Sequence, residues 1–80
     1  MMELIMAFGS AHKALKAEEL LKEAGIPMRL LPAPKALAPY CDLVISIKED
    51  SLGPAAEALK KGGAGPKTIY RKEGEGYVTV

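Results

Sequence analysis

Eighty residues, 49% of them apolar, with 11 Lys and Arg against 10 Asp and Glu, suffice for one thin-cored domain with no basic excess for a nucleic-acid footprint. Three Tyr and one Phe are too scattered for a base-stacking platform, and the single Cys excludes an internal disulfide. No Cys/His spacing suits a structural metal, and no apolar run approaches the ~20 residues of a membrane span, so neither cofactor nor membrane is expected.

Met2 to Phe8 is apolar apart from Glu3 and reads as a central strand over 2–8, buried on both faces. With Glu3 and no basic n-region, this stretch is not expected to be a secretory leader. Gly9-Ser10 stops the strand, and Ser10 suits the N-cap of a helix over 10–24. Ala14, Ala17, Leu20, Leu21 and Ala24 recur at helical spacing and form its buried stripe. Gly25 suits a left-handed helix ending, Ile26 its hydrophobic contact, and Pro27 prevents continuation.

Alternation of Ile26, Met28 and Leu30 predicts a second strand over 26–31, with Pro27 marking an edge. Pro32 to Tyr40 holds three prolines and reads as a stiff loop. Leu43, Ile45 and Ile47 alternate with Val44, Ser46 and Lys48 in a third strand over 42–48. Asp50 or Ser51 can cap a second helix over 51–61, with Pro54 in its first turn and Leu52, Ala55, Ala56 and Leu59 on one face. The glycines from Gly62 to Gly65 break it, a fourth strand follows over 67–71, and 72–80 is a candidate hairpin extension ending in a short strand from Tyr77. The chain has no Asn and no Gln, and its six prolines sit at turns, loops and a helix start, which suits a thermophile.

Two strand–helix–strand halves joined by a hairpin connection predict one α+β domain over 1–80. The expected architecture is ferredoxin-like, βαββαβ, with an antiparallel four-stranded sheet and two helices on one face. The first and third strands are expected at the centre, the second and fourth at the edges, where Pro27 and Arg71 are tolerated. In that topology the end of the first strand meets the start of the third. Ser10, His12, Lys13, Lys35, Cys41 and the Gly62–Gly65 loop are then expected to gather at one pole.

A thiol reacts as the thiolate, and a helix N-terminus or a nearby cation lowers its pKa. The first helix, Lys13 and protonated His12 favour ionisation of Cys41, while Asp42 opposes it. The alternative is that Cys41 packs as a small hydrophobe, since free Cys is among the most buried residue types. Gly62 to Gly65 lacks the Gly-Lys-Ser/Thr ending of a phosphate-binding loop and reads as a helix stop. No acid/base pair, catalytic triad or metal cluster is visible, which weighs against an enzyme.

Four stretches carry a family resemblance: Phe8 to Pro27 (FGSAHKALKAEELLKEAGIP), Arg29 to Pro34 (RLLPAP), Cys41 to Ile47 (CDLVISI) and Ile69-Tyr70-Arg71. With them the chain resembles the putative selenium/sulfur carrier protein-like family, a group of short bacterial and archaeal domains. That family's pattern places a Cys-Gly pair at the start of the third strand. Here the pair is Cys41-Asp42, so the thiol is retained and the glycine is replaced by a carboxylate. The resemblance implies a non-enzymatic carrier that takes sulfur or selenium on Cys41 as a persulfide-type adduct. Ser10, His12 and Lys13 support it, and its partners are a sulfur donor and an acceptor protein. The rival expectation is a binding or assembly module acting through the helix-free sheet face, with Cys41 structural. A homodimer is expected, through that face or through pairing of Tyr77 to Val80. A reducing, cytoplasmic setting fits the lone thiol.

Overall fold

A computed structural model describes residues 3–35, 43–74 and 76–80. Its elements follow the order β1 (Glu3–Ala7), α1 (Ala11–Glu23), β2 (Arg29–Pro32), β3 (Leu43–Lys48), a 3-10 turn (Glu49–Ser51), α2 (Leu52–Lys61), β4 (Thr68–Glu73) and β5 (Gly76–Thr79). The architecture is α+β, two helices with a five-stranded antiparallel sheet ordered β2-β3-β1-β4-β5.

Two corrections to the four-stranded expectation follow from β5. The sheet has five strands, and β4 is interior, flanked by β1 and β5. The cause is local: Gly74 takes φ 61 in the turn after β4, and the chain folds straight back. Arg71 therefore sits opposite Leu4 on one side and Val78 on the other, not at an edge. The central strands are β3, β1 and β4.

Alternation along the strands divides the side chains into two clusters. Leu4, Met6, Ile45 and Ile47 meet Ala14, Ala17 and Leu21 of α1 and Ala55 and Leu59 of α2, so both helices cover one face. Ile5, Ala7 and Val44 form a second cluster on the opposite face with Leu31, Ala33, Tyr70 and Tyr77. The helix stripes are narrower than expected: Ala24 and Ala56 are exposed, and Leu20 is half-buried. Leu15 is 48% exposed, so it lies outside the core.

Both helices end in the same motif. At α1 the Ile26 N–H donates to the Leu21 carbonyl at 3.0 Å and the Gly25 N–H to the Lys22 carbonyl at 3.0 Å. At α2 Ala64 donates to Leu59 at 2.9 Å and Gly63 to Lys60 at 3.2 Å. These are Schellman endings, with Gly25 at φ 72 and Gly63 at φ 70. Each closes over an apolar contact, half-buried Ile26 in one case and buried Ala64 in the other.

A side chain in the left-handed region costs about 1–2 kcal/mol. Gly25→Ala and Gly63→Ala are each expected to lower unfolding stability by about that amount. Gly9→Ala, at negative φ with nothing within 4 Å of the added carbon, is expected to leave it unchanged. Urea titrations of the three variants check the difference.

Candidate functional site

The register places four strand ends at one pole. Ala7, closing β1, stands opposite Val44 of β3 and Thr68 of β4, and Pro32, closing β2, stands opposite Leu43. The Lys67 N–H donates to the Ala7 carbonyl at 2.8 Å and fixes the entry to β4 there. Phe8 is buried, and the chain emerges at Gly9 and half-buried Ser10.

Ser10 begins α1 as expected. Its backbone is extended, at φ −155 and ψ 159, and its Oγ accepts the Lys13 N–H at 3.2 Å. Its carbonyl accepts the Ala14 N–H at 3.1 Å, the first helical bond. No acidic residue lies in the first turn to offset the partial positive charge of the helix end. His12 and Lys13 are exposed on that turn, and Lys35 and Lys67 are exposed on the chain leaving β2 and entering β4.

The residues expected to gather at the pole fall as follows. Ser10, His12 and Lys13 share the first turn of α1, beside the start of β3. Cys41 lies outside the described residues, as do Tyr40 and Asp42. The Gly62–Gly65 loop does not start at the Ser10 turn. A Cβ on Gly62 would overlap the side chain of Leu20, about 15 Å of helix rise from Ser10. Only the far end of the connection returns to the pole, through Lys67. The sequence gives no local sign of where two helices approach, so this contact was not foreseen.

At the second helix, Ser51 occupies the N-cap position at φ −92 and ψ −2 without a side-chain cap bond, because the 3-10 turn leads directly into the helix. The sequence marks Arg71 as a tolerated edge residue and as the end of the stretch Ile69-Tyr70-Arg71 that resembles the family. It shares the helix-side face of the sheet with Leu4. Its Nε is buried without a hydrogen-bond partner among the described residues, and its guanidinium lies 3.9 Å from the Glu73 carboxylate. That pair is exposed enough to count for little in stability.

Two surface grooves stand out among the described residues. One of ≈ 710 Å³ runs between the helices past Leu20, Glu57 and Gly62, and one of ≈ 310 Å³ lies beside Met28, Arg29 and Lys48. Neither takes a residue from the Ser10 turn. Among the described residues no cluster of three His, Cys, Asp or Glu could hold a metal. No helix among the described residues is long and apolar enough to cross a membrane.

Residues 3–71 match the family described as Putative Se/S carrier protein-like. The chain belongs to this family. The matched span runs from β1 into β4 and includes position 41, whereas β5 lies beyond it. No curated protein and no solved structure matches the chain.

Loss of an N-cap hydroxyl typically costs about 1 kcal/mol. Ser10→Ala is expected to lower stability by about that amount, and Ser10→Asp to retain it, since a carboxylate accepts the same N–H and suits the helix end. Chemical denaturation of both variants is the check.

Proposed function

We propose that this protein is a non-enzymatic carrier of sulfur or selenium in which Cys41 is the accepting atom. The observation that carries the reading is the family match over residues 3–71, a span containing the chain's single cysteine. Family membership supports the carrier class, and Cys41 follows by chemistry, since a persulfide needs a thiol.

The step balances without a cofactor. The Cys41 thiolate attacks the outer sulfur of a donor's persulfide. A new sulfur–sulfur bond forms at Cys41, the donor's bond breaks, and the donor leaves as its own thiolate. Release to an acceptor thiolate is the same exchange in reverse. Its rate depends on the thiolate fraction and access of the attacking sulfur. Support for ionisation comes from the capped N-terminus of α1 and exposed Lys13, at the end of the sheet where β3 begins two residues after Cys41 in sequence. Asp42 acts against it. The donor and acceptor are thiol proteins, and a lone working thiol favours a reducing compartment such as the cytoplasm. In this reading β1 to β4 and the two helices form a ferredoxin-like βαββαβ unit, and β5 is an addition to it.

The rival, a module binding through the helix-free sheet face, is less favoured by that face's packing. Ile5, Ala7 and Val44 are 3%, 7% and 0% exposed, with Leu31, Ala33, Tyr70 and Tyr77 packed against them. Little of the apolar centre is left to bury against a partner.

Incubation with a cysteine desulfurase and cysteine is expected to add the mass of one sulfur atom to the intact protein, and none to Cys41→Ser. Alkylation of native Cys41 is expected to rise through a midpoint below the ~8.5 of a free thiol. Lys13→Glu should move that midpoint up, and Asp42→Gly should move it down. Slow labelling in the folded state, with no mass gain from the desulfurase, would sink the carrier reading.

A further inference from the structure

We propose that the free edge of β5 is a self-pairing surface, and that two copies of this chain join there into one ten-stranded sheet. The inference stands apart from the carrier reading and uses none of its residues.

The sheet has two outer strands, and they are built differently. Next to β2, Pro27 precedes the strand, Arg29 opens it, and Pro32, which has no N–H, closes it. Prolines and charges are the usual means of blocking edge pairing. β5 reads Gly76-Tyr77-Val78-Thr79, without charge or proline. Among the described residues nothing pairs with its outer side.

Its hydrogen-bonding groups can be assigned. The Val80 N–H donates to the Ile69 carbonyl at 2.8 Å, and the β4–β5 register continues through Arg71↔Val78 and Glu73↔Gly76. In an antiparallel ladder, hydrogen-bonded and non-bonded pairs alternate. Gly76, Val78 and Val80 therefore turn their backbone groups toward β4. Tyr77 and Thr79 turn theirs outward.

That outward pattern is symmetric about Val78. An antiparallel second copy pairs Tyr77 with its Thr79 and Thr79 with its Tyr77, which satisfies all four outward groups on each strand. Val78 then faces its own copy as a non-bonded pair, with Cα atoms about 4.5 Å apart. No like charges oppose one another, and the Tyr–Thr pairs are aromatic to β-branched. The side chains agree: Val78 and Val80 are 44% and 61% exposed, two of the three large exposed apolar residues among those described. Pairing places their apolar surface against that of the copy.

Sedimentation equilibrium on the full chain, with hydrogen exchange of single amides, tests this. A reversible monomer–dimer equilibrium at high micromolar concentration is expected. The Tyr77 and Thr79 amides should slow with rising concentration, while those of Val78 and Val80 stay concentration-independent. Val78→Lys and Val78→Glu change an exposed side chain, so each should fold, and each should weaken the dimer by roughly fivefold or more through facing like charges. An equimolar mixture of the two should restore association. A wild-type chain that stays monomeric overturns the proposal. So does a dimer in which Tyr77 and Thr79 exchange at the monomer rate, or one indifferent to both substitutions.

Discussion

A strand paired on both edges and covered on both faces admits almost no exposed side chain, and β1 meets that condition. Leu4 to Phe8 are all at or below 7% exposure, although they alternate between two sides of the sheet. Leu4 and Met6 need the helices above them. Ile5 and Ala7 need a second cover, which comes from Val44 beside them and from Leu31, Ala33, Tyr70 and Tyr77 around. The demand for cover on that second face is where β5 belongs structurally: Tyr77 is its contribution. A sheet ending at β4 would lack that ring. The site at the pole inherits its geometry from the same strand, because Ala7 fixes Val44, Thr68 and Lys67 around the point where the chain turns into Ser10.

The helices are held at their ends as firmly as along their faces. Two of the three buried residues on α1 are alanines, so its side-chain contribution per turn is small. Closure of the last carbonyls through Gly25 and Gly63 compensates, and in each case it drives the following residue, Ile26 or Ala64, toward the core. Gly62 adds close approach, letting Leu20 occupy the space a side chain would take. Small residues at these points let two short helices pack tightly over one sheet.

Local signals were the ones the sequence made legible. Ser10 as a cap, Gly25-Ile26-Pro27 as a helix ending and the alternation in Leu43 to Lys48 each depend on neighbours within a few positions, and each appears as read. Misreadings came where distant parts of the chain decide. Arg71 resembles an edge residue in a four-stranded sheet, but the hairpin extension legible from Tyr77 onward pairs beside its strand and makes the position interior. Ala24 and Ala56 have the right spacing for a buried stripe, yet both are exposed, Ala24 as the C-cap residue that closes α1. The glycine run looked like part of the Ser10 pole because the topology alone puts the end of α2 there. Where the helices touch depends on which small residues meet, and Gly62 meets Leu20.

The family match ends where β5's argument begins. Residues 3–71 cover the helices, the first three strands and part of β4, and the uncharged strand at the sheet margin is an addition beyond that span. The carrier chemistry and the self-association proposed above therefore rest on separate parts of the chain. Their geometry is also separable. Strands lie about 4.8 Å apart, so joining two copies through β5 sets the two β1 strands roughly 24 Å apart across the sheet. Because β1 runs parallel to β5, and the paired β5 strands run antiparallel, the two Ser10 poles point to opposite ends of the joined sheet. The twofold axis stands perpendicular to the sheet, which keeps all four helices on one face. In such a pair each Ser10 pole stands at its own end of the sheet, clear of the other. Under both proposals the pair would hold two independent poles, and pairing would stabilise the sheet margin rather than build a shared site.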